Sequence, residues 1–589
     1  MEESTMKNET LIGVPFSFGT ETELRAIKKK GVDYVRLEET WRYTEPKYEH
    51  YDFTRSLAVL QQAEEINLGV VFEISMEPQP AWLIQEAAGL NCWENPLLAK
   101  TAERYLKALV KFIGKSGAMK SWILRLPATT TQCTCKHALE AFRAFMKAKY
   151  KTLDALNAQL RQNVAEWDHL HPNHGGAQME NEWIRFGYEA QQSTYASFVR
   201  LIQKCDKDAR PVTLSYGALP TEELAVPTFV HLLRNHDTGA RSEDAVWTAD
   251  LPIGTPSFGM WRSLPPTQKS TINATFAALS LGASKLLFPQ PPSAELLNFL
   301  RSSDQFLSAC AREPAEVAVF ASKDAAWLAA QSGSPHLVDD CVTNLMTACV
   351  ARSVFPDLLQ DLTAVDLTKY KLILLPAGFT IDQQQTAQLT AYVAQGGMLV
   401  SDGLAAAYDQ VGNAVGVSHL AELFGCVENG YQPAPKHAVL TGVNEFATYS
   451  VAAKEFLQTF QLTNGKAAFQ SEDGIAGVAN AHGQGSTLVF GTLFSAGKIS
   501  TDFLGTILDS ASVKNLDLKV IVQSLISTDY WVVFAFNKEE KTSKFVLDET
   551  QGYTLVDSFG CQINTETFKV TVEGNAACCI IFKANEVTK

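Results

Sequence analysis

Residues 34–75 read YVRLEETWRYTEPKYEHYDFTRSLAVLQQAEEINLGVVFEIS. The stretch opens and closes on apolar runs, 34–39 and 68–75, with an amphipathic helical pattern from Thr54 to Asn67 between them. Neither run alternates apolar with polar residues as a half-solvated strand would. Each therefore reads as a strand covered on both faces, and strand, helix, strand in this order builds a parallel sheet. The pattern continues on both sides. LIGVPFS (11–17) precedes it, and SWILRLP (121–127), PVTLSYG (211–217), AVWTAD (245–250) and KLLFPQ (285–290) follow, with a helix expected from Pro96 to Ile113. A sixth strand is expected between Phe229 and Arg241, which completes a (β/α)8 TIM barrel over residues 1–312.

AREPAEV (311–317) marks a boundary, and a second α/β pattern occupies 313–512. Its strands are VAVFAS, YKLILLPAG, GGMLVSDG and STLVFGT, with a helix at Gln383–Gln395, so a doubly wound, flavodoxin-like sheet is expected. From 513 to 589 short strands follow one another without helices: KVIVQSLI, WVVFAFN, KFVLD, YTLVDSFG, FKVTVEG and CCIIFK. A small C-terminal β-sandwich fits that pattern.

A chain of 589 residues exceeds what one core supports, and its 19% charged and 46% hydrophobic residues are those of an ordinary globular protein. The net charge of -14 argues against nucleic acid and anionic membranes as partners. No apolar run approaches the ~20 residues that span a bilayer. The polar opening MEESTMKNET does not read as a signal peptide, and eleven cysteines form no disulfide-like framework. A reducing cytoplasm is the expected compartment.

Several segments together carry a family resemblance. GVDYVRLEETWRYTEPKYEHYDF (31–53), PQPAWL (78–83) and AFRAFMKAKYKTLDALNAQL (141–160) resemble, in order, segments after the second, third and fourth barrel strands of glycoside hydrolase family 42 β-galactosidases. LTKYKLILLPAG (367–378) and LTAYVAQGGMLV (389–400) resemble that family's trimerisation domain, which is itself glutamine-amidotransferase-like. No cysteine nucleophile follows the YKLILLP strand here. The resemblance implies a homotrimer, a galactoside-like glycan as ligand, and no organic cofactor.

It also implies a site. Retaining glycosidases use two carboxylates about 5 to 5.5 Å apart, one as acid/base and one as nucleophile. In the family the acid/base Glu closes a W-x-x-x-N-E pattern; the matching text is Trp122 to Pro127, with Leu126 at the Asn and Pro127 at the Glu. The resemblance aligns the nucleophile position with Asp250, one methylene short of a Glu, a shift of one residue putting Ala249 there instead. A residual Ser293-Ala294-Glu295 keeps one sugar-binding Glu, while Asn298 replaces a His and Ala88 an Arg. Arg36, Glu77 and Glu295 are the expected ligand-binding residues with Asn298, and Glu38, Glu39 and Glu73 are further carboxylates at the barrel mouth. The expectation is a catalytically impaired or non-catalytic glycan-binding homologue; the alternative is an active glycoside hydrolase with a rearranged carboxylate pair. Strand alternation points Arg125 the same way as Pro127, so Arg125 needs an acidic partner, with Glu73 and Asp250 the candidates.

Cys92, Cys133 and Cys135 match the positions of a structural zinc site in some family members. The fourth position is Ala138, with His137 beside it, so a Cys3His set for Zn2+ is expected, buried free thiols being the alternative. His169, His171 and His174 read as a solvated loop, and the adjacent Cys578 and Cys579 point to opposite faces of a strand.

Overall fold

The computed structural model describes residues 10–86, 92–125, 133–214, 261–263, 268–363, 365–497, 499–547, 550 and 552–585. They fall into two compact units. One comprises Met1–Phe145, Phe186–Glu313 and Val522–Lys589, the other Met146–Arg185 and Pro314–Ile521.

Seven parallel strands of the first unit form the barrel sheet: β1 (Leu11–Phe16), β2 (Tyr34–Thr40), β3 (Gly69–Ser75), β4 (Met119–Arg125), β5 (Val212–Leu214), β6 (Trp261–Ser263) and β7 (Lys285–Leu287). They lie in the order β5-β4-β3-β2-β1-β7-β6. All seven residues of β3 are buried, as its uninterrupted apolar text requires. The helices between start where local chemistry satisfies their free N–H groups. Thr20 and Glu23 form a capping box for Glu21–Lys29, and Asn95 accepts from Leu97 N at the head of Pro96–Ile113. At the amino end of the sheet Arg301 bonds Asp33 and the Thr10 carbonyl, joining the last barrel helix to the first strands.

The sequence placed a strand at 245–250 and another near 229–241; both lie outside the described residues. On the side away from β1, β7 pairs in parallel with Trp261–Ser263, a strand that the sequence does not announce. Three residues with one Trp carry too little pattern to announce a strand.

In the second unit Asp357–Leu359, Val317–Phe320, Leu372–Leu375, Met398–Ser401 and Gly485–Phe490 are parallel and adjacent in that order. Numbered along the chain this is 2-1-3-4-5, the flavodoxin-like winding. Four antiparallel strands extend the sheet beyond Gly485–Phe490 to nine, none of which the sequence reading named. Asp402, fully buried just past Met398–Ser401, accepts from Ala377 N (2.9 Å), Ser495 N (3.2 Å) and Ser495 Oγ, tying three strand ends together.

The C-terminal strands belong to the barrel's unit. Tyr553–Phe559, Ala577–Ala584, Tyr530–Asn537, Val520–Ile526 and Ala311–Arg312 form one sheet, and Ser543–Val546, Lys569–Val572 and Cys561–Asn564 a second. Phe276 of the barrel helix Gln268–Ser280 packs against Phe534 and Phe559, with ring centroids 6.0 and 5.6 Å away.

Candidate functional site

β2 and β3 run parallel with Glu38 opposite Glu73, and β3 and β4 with Ser75 opposite Arg125. Alternation along β2 sends successive side chains to opposite faces. Glu39 faces outward, where its carboxylate takes a short hydrogen bond from Ser56 on the covering helix Thr54–Glu65. Burial raises the Glu39 carboxyl above its ordinary range, an effect that the Ser56 bond partly opposes. Glu39 is therefore a packing residue, contrary to its expected place in the mouth. Arg36 and Glu38 face the barrel interior.

Four charged side chains meet there. Arg125 reaches Glu38 Oε1 at 2.6 Å and Glu73 Oε1 at 2.8 Å, and Arg36 reaches Glu73 Oε2 at 3.3 Å. Glu73 is fully buried, whereas the Arg125 side chain is 41% exposed. A buried carboxylate is tolerated only when cations and hydrogen bonds compensate its lost hydration. Two guanidinium groups do so here. Glu73 is one of the two partners expected for Arg125, the other, Asp250, lying outside the described residues; Glu38 is a further partner, which the sequence does not announce because cross-strand pairing depends on register.

The remaining expected residues are spread around this quartet. Glu77 follows β3 and is half-buried, its carbonyl accepting from Ser75 Oγ at 2.6 Å. Glu295 and Asn298 are exposed on the first turns of helix Ala294–Leu307, which Ser293 caps. Pro127, Asp250 and Ala88 lie outside the described residues.

Three thiols form a separate centre. The Sγ atoms of Cys92, Cys133 and Cys135 lie within 4.8 Å of one another. Cys135 immediately precedes helix Lys136–Tyr150 and accepts from Leu139 N, while its own N–H points at Cys133 Sγ, 3.4 Å away. Burial pushes the Cys92 thiol up to about 12. Three sulfurs this close are a donor set suited to a thiophilic cation such as Zn2+. His137, expected as the fourth ligand, is the second residue of that helix and is not among the donor atoms grouped with the three sulfurs. The histidines of 169–174 sit in two short 3-10 turns, His171 stacked on His174.

Comparison with known proteins agrees with this architecture. Residues 19–90 and 87–224 match the family described as beta-galactosidase of glycoside hydrolase family 42, and residues 315–514 match that family's beta-galactosidase trimerisation domain. The β-galactosidase LacZ of Lactobacillus acidophilus is 23% identical over 31% of this chain, and the match spans only 32% of that relative. The β-galactosidase bgaB of Geobacillus kaustophilus is 20% identical over 84% of this chain and 85% of its own length. Among solved structures, the cold-adapted β-galactosidase of Rahnella sp. R3 superposes with a TM-score of 0.80 at 16% identity, covering 98% of this chain and 99% of that one. Gan42B, a β-galactosidase from G. stearothermophilus, gives 0.77 at 16% identity over 98% and 99%. No helix among the described residues is long and apolar enough to cross a membrane. With its parallel barrel sheet, its flavodoxin-like second unit and matches to both parts of one family, the chain has the fold of the glycoside hydrolase family 42 β-galactosidases.

Proposed function

We propose that this protein is a carbohydrate-binding homologue of the family-42 β-galactosidases, impaired in double displacement, that holds a galactoside-like glycan at the carboxyl end of its barrel as a cytoplasmic homotrimer. The observation that carries this reading is the pairing of Arg125 with Glu38 and Glu73. A general acid must present a free, protonated oxygen to the leaving group. Here Glu38 and Glu73, facing the barrel interior, are held by guanidinium groups. Two residues beyond Arg125 the sequence has Pro127 at the aligned acid/base position, and proline has no group that can carry a proton. Asp250, at the aligned nucleophile, is one methylene short, and a displacement of ~1 Å can cost on the order of a hundredfold in rate. Arg36, Glu77, Glu295 and Asn298 remain as groups that can bond sugar hydroxyls.

The test is incubation of the purified protein with aryl β-galactosides, arabinosides and glucosides, beside thermal shifts with galactose. Binding without turnover is expected. Turnover that disappears in Asp250→Ala would sink the reading and establish an active hydrolase. The same proposal assigns the three-thiol cluster to a structural Zn2+, with the fourth ligand from solvent. Such an ion would tie the loop before helix Pro96–Ile113 to the start of helix Lys136–Tyr150.

A further inference from the structure

All eleven cysteines are free, and one pair remote in sequence from the barrel mouth is placed to react together. Cys561 opens the strand Cys561–Asn564 of the three-stranded C-terminal sheet, whereas Cys578 lies in Ala577–Ala584 of the five-stranded one. The chain changes sheets at Gly560. Phe559 still pairs with Cys579 across the antiparallel ladder. Gly560, at φ +77°, then passes so near the partner strand that a Cβ would stand 2.5 Å from the Ala577 carbonyl oxygen and 3.4 Å from Cys578 Cα. Only glycine combines that backbone conformation with that approach. It delivers Cys561 beside Cys578, and the interaction of the two thiols lowers the pKa of Cys561 and raises that of Cys578. Cys578 is fully buried and Cys561 partly exposed, so reagents reach the pair through Cys561. The neighbouring Cys579 points to the opposite face of its strand.

We propose that Cys561 and Cys578 form a peroxide-sensitive modification site that closes to a disulfide between the two sheets of the C-terminal sandwich. The Cys561 thiolate attacks one oxygen of hydrogen peroxide; the O–O bond breaks, and the departing hydroxide takes up a proton to leave as water. Cys561 is then a sulfenic acid. The Cys578 thiol attacks that sulfur, the S–S bond forms as the S–O bond breaks, and the Cys578 proton leaves with the hydroxyl as a second water. Two thiols are oxidised and one peroxide is reduced. The interaction with Cys578 favours the thiolate on Cys561, the sulfur that peroxide reaches first. The new bond would clip the hairpin of Cys561–Asn564 and Lys569–Val572 covalently to the larger sheet.

The experiment treats the full chain with hydrogen peroxide, blocks remaining thiols with an alkylating reagent and maps the peptides by mass. The expected product is a crosslink between the Cys561 and Cys578 peptides, lighter by two hydrogens, cleaved by dithiothreitol and accompanied by a higher thermal midpoint. Cys561→Ser should abolish the crosslink, and Cys579→Ser should leave it unchanged. A sulfinic acid on Cys561 without a crosslink, a bond to any other cysteine, or an unmodified Cys561 under conditions that oxidise other thiols would overturn the proposal. Circular dichroism of each variant before treatment confirms that a lost crosslink reflects chemistry rather than unfolding.

Discussion

Arg125 ends β4 with one guanidinium group shared between carboxylates from two neighbouring strands, and Glu73 depends on it and on Arg36 for compensation of a fully buried charge. Removing one partner of a buried ion pair typically costs 3–5 kcal/mol, but the exposure of Arg125 discounts that figure. Arg125→Ala is expected to destabilise the fold by about 1–3 kcal/mol in denaturant titration, with Arg125→Lys intermediate because one ammonium cannot serve two carboxylates in the same geometry. Asp402 is the opposite case, a fully buried carboxyl held by hydrogen bonds from Ala377 and Ser495. Burial pushes it up to about 6, against the donated bonds from Ser495 and Ala377. Because the folded value lies above that of an unfolded aspartate, ~3.9, the fold favours the protonated form. Its contribution is fully present below about pH 4 and is lost as pH rises through about 6. The loss is roughly 3 kcal/mol at about 1.4 kcal/mol per unit. Asp402→Asn should flatten the pH dependence of stability across that window, as measured by unfolding at a series of pH values. An unchanged slope would show that the titrating group lies elsewhere.

The strands of the barrel differ in how openly they declare themselves. β3, buried along its whole length, is legible as seven successive residues without a solvent face, and β4 is buried in the same way through residues 121–124. β6 is not, since its three residues become a strand only by pairing with β7. The antiparallel strands between Cys426 and His482 were also invisible: runs such as GYQP and GIAG mix glycine, proline and polar residues, and their pairing supplies what their propensity lacks. At the amino end of β4, Arg210 donates to the Gly114, Ser116 and Met119 carbonyls and pairs with Asp206, which also accepts from Trp122 Nε1 at 2.7 Å. Arg210→Ala would strand those carbonyls and the buried Asp206 together, so a loss of about 3 kcal/mol or more is expected in chemical denaturation. A variant within 0.5 kcal/mol of the parent would mean water replaces the guanidinium there. Cys133→Ser should lower bound zinc in freshly purified protein below one equivalent while leaving helix content intact; metal analysis finding none in the parent would instead leave the cluster as free thiols.

At the scale of the molecule, the match of 315–514 to a trimerisation domain leads to the expectation of a particle three times the 64.6 kDa of one chain in light scattering. A monomer at micromolar concentration would refute it. The order of barrel, open sheet and small sandwich was readable in the text, because hydrophobic periodicity reports how each segment is covered and the number of segments limits what they can build. Leu126 and Pro127 stand where the resemblance aligns the family's Asn and Glu, and they lie outside the described residues. What the sequence left open was every relation between residues distant along the chain. Register brought Glu38 and Glu73 to Arg125, strand alternation turned Glu39 away to Ser56, and the change of sheet at Gly560 set Cys561 against Cys578. The return of 146–185 to the second unit is likewise invisible along the chain. Local pattern encodes which face of an element is buried; which charge or thiol waits on the facing element is decided only when the chain closes on itself.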